Sequence, residues 1–456
     1  MKLFQQSSAV TSASQPPEAD EYQGGMLGIA WLNPDLSWLF VMRVLRSLAQ
    51  GYLGIILPLY LAILGYNAVA LGTLLAVSAI AAAVVSTLTG VLADRFGRKT
   101  FIVIISLMFA VGGFGFAFAR TFFWLTVFAA IGSIGRGGAL AGGAWGPFYP
   151  AVQALVAEQT SHYNRTSVFG AFSFVGVVAG AIGSLLAGLP AVAKHSIGLP
   201  ELHTYRALFI FSGVLAAAMA VAVIPVRERS AARDSANAGG DNMQGAQDPP
   251  APDDRRLGLS AQSWRLVIRF MITNATNGLA IGMLGPVVVY WFYRRFGASS
   301  ADLAEVFFII NFASSIPYLA AGRIALTFGS VRSVVVTRAI STGLLLGVVM
   351  MPTFGLAAAV YGIRALFNML SIPVRQSYLM GVIDPAERST ASGFASFPSQ
   401  VTSSVGPYLA GYFMEHLALA LPLEFAAVMQ GLNTLLYWIF FRDVYPPEET
   451  GDGAGR

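Results

Sequence analysis

The chain has 456 residues, of which 55% are hydrophobic and only 11% charged, with a formal net charge of +5 and no cysteine. Soluble domains carry about 25% charged residues, so this composition excludes an ordinary polar surface and makes lipid the main solvent. Without cysteine there can be no disulfide or thiolate metal site, and arginines scattered over short connections exclude a nucleic-acid footprint.

Residues 1–33 are rich in Ser, Gln, Ala and Pro and lack the basic start and apolar run of a signal peptide, which predicts a disordered cytoplasmic tail. Twelve apolar spans follow, each long enough to cross a hydrocarbon layer about 30 Å thick. Charges, Gly and Pro bound them at 37–64, 69–93, 100–119, 122–156, 166–190 and 206–226, then 264–293, 302–326, 331–351, 354–383, 389–414 and 423–441. Span four is interrupted by Gly142-Gly-Ala-Trp-Gly-Pro147, which predicts a bent or unwound helix there. Residues 227–262, dense in Ala, Asp, Gly, Gln and Pro, read as a disordered linker between a bundle at 34–226 and one at 263–443, with a tail at 444–456.

Much of the chain is written twice. Arg165-Thr-Ser-Val-Phe-Gly170 and Gly183-Ser-Leu-Leu-Ala-Gly188 recur 223 positions later as Arg388-Ser-Thr-Ala-Ser-Gly393 and Gly406-Pro-Tyr-Leu-Ala-Gly411. Pro150 and Gln153 pair with Pro373 and Gln376 at the same spacing. Two homologous six-span halves side by side are one way to build an alternating-access carrier. The even-numbered connections hold Arg95, Arg98, Lys99, Arg165, Arg227, Arg229, Arg255, Arg256, Arg332 and Arg388. The odd-numbered ones hold only Arg120, Lys194, Arg206, Arg294 and Arg295, so both termini are predicted to be cytoplasmic.

Between spans two and three lies Gly90-Val-Leu-Ala-Asp94-Arg95-Phe-Gly97-Arg98-Lys99, with a decayed copy at Gly322 to Gly329. Glycine permits a sharp turn, and the basic residues can pair with Asp94 or with lipid phosphates. This decapeptide resembles motif A of the major facilitator superfamily, and the six-plus-six layout and central linker extend the resemblance over most of the chain. It implies that Asp94 and Arg95 help latch the halves at the cytoplasmic face. The second copy has Leu326 where the aspartate would stand, so the latch should depend on Asp94. Arg136 resembles the arginine of motif B, without the residues that usually follow it. Span five has Gly176-Val-Val-Ala-Gly180-Ala181 where the antiporter signature would place Gly-Pro, and the Gly-Pro of this chain, Gly406-Pro407, lies in span eleven.

Charged residues inside the bilayer point to mechanism, because a central arginine costs on the order of 3 kcal/mol on the insertion scale. Arg136 and Arg364 occupy corresponding helices of the two repeats and are expected to face each other across a central cavity. Arg46 and Arg269 lie nearer the cytoplasmic ends. Such guanidiniums suit a carboxylate, phosphate or sulfate group, which the planar fork binds bidentately. Gln50, Trp145, Tyr149, Asn274, Asn277 and Asn368 are the polar and aromatic residues expected to complete the binding site, with Tyr52, Tyr290, Asn311 and Gln400 at similar depth. Spans one, two, four, five, seven and ten contain no acid, which leaves Glu305, one turn into span eight, as the candidate for proton coupling. The four histidines lie in loops or at span ends and take no coupling role.

No P-loop and no metal-ligand spacing is present, so neither ATP hydrolysis nor a cofactor is expected, and the chain is not read as an enzyme. The expected protein is an all-α, twelve-span, monomeric secondary transporter of the inner membrane that moves a small solute by alternating access. The arginines tilt the solute towards an anion, with protons as the coupling ion. Two alternatives stay open. One is proton-driven multidrug efflux, disfavoured by the missing antiporter signature and the missing acid in span one. The other is a transporter-like receptor that binds without flux.

Overall fold

In the computed structural model, residues 33–134, 148, 151–152, 155–156, 159–160, 165–227, 260–316, 329–383 and 388–444 are described. Local chemistry sets where the helices begin. Asn33 accepts the Leu36 amide at 2.7 Å ahead of Pro34, whose fixed φ suits a first helical position, and Asn67 accepts the Ala70 amide at 3.0 Å. Ser299 and Asp302 form a reciprocal capping box. The helices are α1 (Pro34–Ile63), α2 (Ala68–Phe96), α3 (Arg98–Phe118), α4 (Phe122–Gly132), α5 (Arg165–Leu186), α6 (Leu189–Ile197) and α7 (Glu201–Val223) in the first half. The second half has α8 (Ala261–Phe296), α9 (Ser300–Ala313), α10 (Ser330–Met350), α11 (Phe354–Val382), α12 (Arg388–His416) and α13 (Leu421–Phe441). Among the described residues, eight helical segments are long and apolar enough to cross a membrane.

The packing of the first half is repeated in the second. α1 packs on α5 and α7 as α8 packs on α12 and α13, α3 on α7 as α10 on α13, α3 on α4 as α10 on α11, and α2 on α4 as α9 on α11. Across the halves, α2 meets α12 and α5 meets α9, which are again equivalent pairs, and α1 meets α8. The duplicated glycines have equivalent tasks. A Cβ on Gly183 would lie 2.2 Å from the Leu48 carbonyl oxygen of α1, and one on Gly406 would lie 2.7 Å from the Gly282 backbone of α8. Only glycine lets these backbones approach so closely.

Among the described residues, close contacts between the halves gather at the end where α1 passes into α2, the distal end, opposite the chain termini. Gly72 abuts Pro407 and Gly411 abuts Ala68, while the Ala68 amide donates to Glu415 Oε2 at 3.3 Å. On the other side of the pseudo-twofold, Asn311 Nδ2 donates to Ser184 Oγ at 3.0 Å and the Ala191 amide to Ser300 Oγ at 3.3 Å.

Three features differ from the sequence expectation. The first helical stretch of span four ends at Gly132, because Ser133 turns into the left-handed region at φ 49°, ahead of the glycines expected to interrupt it. Those glycines, Gly142 to Pro147, lie outside the described residues. The connection after span five carries its own helix, α6, started by Pro190 and closed by Gly198 at φ 66°. Span seven is kinked at Gly285, where Pro286 removes one helical amide donor and crowds the preceding turn.

Candidate functional site

A polar ladder runs along one face of α11. Arg364, Asn368, Ser371 and Arg375 follow at helical spacing, and eleven residues make close to three turns, so the two arginines share a face about 16 Å apart along the axis. Ser371 Oγ donates to the Asn368 backbone carbonyl at 2.7 Å, so the serine hydroxyl is satisfied within the helix.

The opposite wall is α8, whose Asn274 and Asn277 lie one turn apart. Asn277 Oδ1 accepts Nη1 of Arg338 at 2.8 Å and also accepts its Nη2. Arg338 stands on α10, 96% buried, and its Nη1 donates again to Asn433 Oδ1 of α13 at 3.1 Å. Asn433 Nδ2 donates in turn to the Thr273 carbonyl, closing a polar strap across α8, α10 and α13. Asn274 Oδ1 accepts Nη2 of Arg375, while its Nδ2 donates to the Ala395 carbonyl of α12 at 2.8 Å. Two guanidiniums are thus bonded to side chains a single turn apart on one helix. Arg364 is buried, with its guanidinium carbon 5.3 Å from the centre of the Tyr361 ring, and Arg375 lies 5.9 Å from that of Tyr437.

No carboxylate stands within ion-pair distance of Arg338, Arg364 or Arg375 among the described residues, where ion pairs join only Lys194 to Glu201 and Arg442 to Asp443. Nε of Arg338 and of Arg364 is buried without a hydrogen-bond partner. Among the described residues, amide oxygens and aromatic faces carry the three cations, with no counter-charge beside them where repulsion is weakly screened.

The first half treats its arginines differently. Arg46, 5% exposed, lies over the Phe148 ring with its guanidinium carbon 3.8 Å from the centre. Arg43, one turn earlier, donates Nε to the Phe172 carbonyl at 3.4 Å and fills the space against Gly176. Gln50 is buried in α1, and the Tyr52 hydroxyl donates to the Leu208 carbonyl of α7 at 3.2 Å. Arg136, Trp145 and Tyr149 lie outside the described residues, and so does the pairing of Arg136 with Arg364.

Of the other expected positions, Asn274 and Asn277 join the arginine group and Asn368 stands in its ladder. Arg269 does not: it is exposed and donates to the Phe440 carbonyl at 3.1 Å, because its long stem reaches the end of α13 instead of the interior. Tyr290 is buried and Gln400 exposed. Glu305 is exposed in the first turns of α9. In the decapeptide, Gly90 to Phe96 continue α2, and the turn itself falls on Gly97 at φ 94°, matched by Gly329 at φ 80° in the copy. Lys99 Nζ donates to the Ile224 carbonyl at the end of α7, a favourable place for a cation. The side chains of Asp94 and Arg95 lie outside the described ones. An apolar groove of about 630 Å³ between α10 and α13, walled by Val336, Ala339, Leu435 and Trp438, is separate from the three arginines.

Sequence reading missed Arg338, Arg375, Arg43 and Asn433. The rule that singled out Arg364 applies equally to Arg338 and Arg375, since both lie inside predicted apolar spans.

The fold and this buried polar group define a multi-pass membrane carrier made of two like bundles. Residues 39–275 and 270–456 each match the Major Facilitator Superfamily model, and the chain belongs to that family of transporters, which are not enzymes. It is 22% identical over 395 residues to an uncharacterized membrane protein of Saccharomyces cerevisiae, covering 83% of this chain and 87% of that one. It is 28% identical over 184 residues to the quinolone resistance protein NorA of Staphylococcus aureus, covering 40% of this chain and 42% of NorA. Among solved structures, the fold is similar to a bacterial homologue of the human lysosomal transporter Spinster in an inward-facing, occupied conformation, with a TM-score of 0.67 at 14% identity over 89% of this chain and 95% of that one. It is also similar to the nucleoside transporter NupG, with a TM-score of 0.66 at 13% identity over 89% of this chain and all of that one. The human organic anion transporter MFSD10 matches with a TM-score of 0.53 at 17% identity, over 89% of this chain and all of that one.

Proposed function

We propose that this protein is a secondary active transporter that moves a small anionic solute across the inner membrane by alternating access. The observation that carries the reading is the group of Arg338, Arg364 and Arg375, buried or half-buried in one bundle with no carboxylate within ion-pair distance among the described residues. Removing cations from water is costly, and an arriving oxyanion returns the missing counter-charge while filling guanidinium donors in their preferred planar geometry. With both termini cytoplasmic, the distal contacts between the halves lie at the outer face. A gradient drives the cycle, with Glu305 as the proton-carrying candidate, and Asp94 latches the opposite face after the solute is released.

The test is transport by the purified protein in liposomes, screened across labelled organic and inorganic anions and cationic dyes, with an imposed pH gradient on and off. Anion flux that falls at least tenfold in Arg364→Gln supports the reading. Dye export driven by the pH gradient, with no anion flux, supports the multidrug alternative, towards which the partial similarity to NorA points. Binding without flux under any gradient would make the protein a receptor. Asp94→Asn should lower the flux without changing which solute is carried, and Glu305→Gln should remove any dependence on the pH gradient.

A further inference from the structure

The three arginines are not equivalent, and the difference assigns them separate tasks. Both terminal nitrogens of Arg338 are occupied by Asn277 and Asn433, on α8 and α13, so its guanidinium is fixed in place. Arg375 gives one nitrogen to Asn274 and is half-exposed, and among the described residues its other nitrogens have no hydrogen-bond partner. It stands about 10 Å from the end of α11 on the side of the chain termini, whereas Arg364 lies about 16 Å deeper on the same face and is 4% exposed.

We propose that Arg375 is the capture station for a single oxyanion group, a carboxylate, phosphate or sulfate, and that Asn274 occupies the station when the anion is absent. Arrival of the anion exchanges a neutral amide oxygen for a charged one on the same guanidinium. The exchange is favourable because charge-assisted hydrogen bonds are roughly twice as strong as neutral ones and the free fork can bind bidentately. Arg364 is the inner station. Arg338 touches no solute: it supplies a fixed positive field that favours anions over neutral analogues. This assignment rests on the anion reading above and adds a competition within the protein itself, with the amide of Asn274 as an internal rival of the solute.

Asn274 also binds the Ala395 carbonyl of α12, which meets α2 of the other half. Releasing its Arg375 bond therefore loosens a link between α11 and α8 at the moment the solute arrives.

The experiment uses proteoliposomes of the full chain on a solid-supported membrane, with concentration jumps of succinate, inorganic phosphate and sulfate and charge displacement as the readout. For an anion that gives a signal with the unaltered protein, Arg375→Gln should raise the half-saturating concentration about tenfold or more, the loss expected for a charged hydrogen bond. Asn274→Ala should shift it in the opposite direction, lowering it several-fold, because the rival acceptor is gone. A merely structural role for the pair would weaken binding in both variants. If Asn274→Ala raises the half-saturating concentration as Arg375→Gln does, or if neither moves it, the capture assignment is overturned while the anion reading stands. If none of the three anions gives a signal with the unaltered protein, folded by its melting transition, the anion reading itself fails and the assignment falls with it. Asn274→Asp, which places a fixed carboxylate against Arg375, should abolish the signal, and retention of the signal would also overturn the proposal.

Discussion

The two bundles descend from one repeat and pack alike, yet they house their buried arginines by different means. In the first, Arg43 and Arg46 of α1 lie against the aromatic rings of Phe172 and Phe148. In the second, Arg338 and Arg375 are held by the amides of Asn277, Asn433 and Asn274, whose oxygens accept from the guanidinium edge. Arg43 also donates Nε to the Phe172 carbonyl, and Arg364 and Arg375 also lie over the rings of Tyr361 and Tyr437, so the difference rests on the side-chain amides, whose oxygens take up a donor directly and fix its direction. The comparison teaches that backbone symmetry survives duplication while side-chain chemistry diverges, and that the second bundle is the half in which side-chain amides orient the buried guanidiniums.

Breaking the strap is expected to have the largest effect. Arg338→Leu leaves the oxygens of Asn277 and Asn433 without their donor, and should cost about 3 kcal/mol of stability, read as a lower melting temperature in detergent. Pairing Arg338→Leu with Asn433→Leu should restore part of that loss, since replacing both partners removes the orphaned acceptor. Equal losses in Arg338→Leu and Arg43→Leu would erase the distinction between the bundles.

The duplicated glycines offer a test of intermediate size. A Cβ on Gly411 would lie 2.2 Å from the Ala68 carbonyl oxygen, whereas one on its counterpart Gly188 would meet the Leu185 carbonyl oxygen at 3.3 Å and Ala304 at 3.4 Å, close to ordinary contact. Gly411→Ala should therefore destabilise by about 2 kcal/mol, as overpacking does, and Gly188→Ala by less than about 0.5 kcal/mol. Melting curves of the two variants side by side would show whether the α2 and α12 contact is the tighter half of the distal closure.

Smaller effects are expected at the aromatic bed. Phe148→Leu keeps an apolar body but removes the ring under Arg46, and should cost about 1 kcal/mol with little change in anion half-saturation. A large change in half-saturation would bring the first bundle into the recognition site and sharpen the comparison in the other direction. Lys99→Met removes a cation from the end of α7 and should cost no more than about 1 kcal/mol in the same melting assay.

Half of the ladder on α11 is legible in the sequence. Arg364 and Asn368 stand out because charge and amide are rare in apolar spans, and Asn274 and Asn277 do so for the same reason. Arg269 obeys the same signal and yet reaches the surface, because hydropathy gives depth along a span but not the direction in which a long side chain leaves it. Glu305 follows the same pattern, inside a predicted span and exposed in the structure.

By itself the sequence determined the solvent, the helical class, the duplication and the family. Each of these rests on local quantities: the length of apolar runs, the spacing of repeated words and the decapeptide at Gly90 to Lys99. The tertiary structure decided which polar residues share a site, by joining Arg338 to Asn277 across 61 positions, to Asn433 across 95, and Arg375 to Asn274 across 101. A helix that is apolar nearly all round carries no pattern marking its inner face, so only packing against its neighbours sets where each guanidinium finds its oxygen.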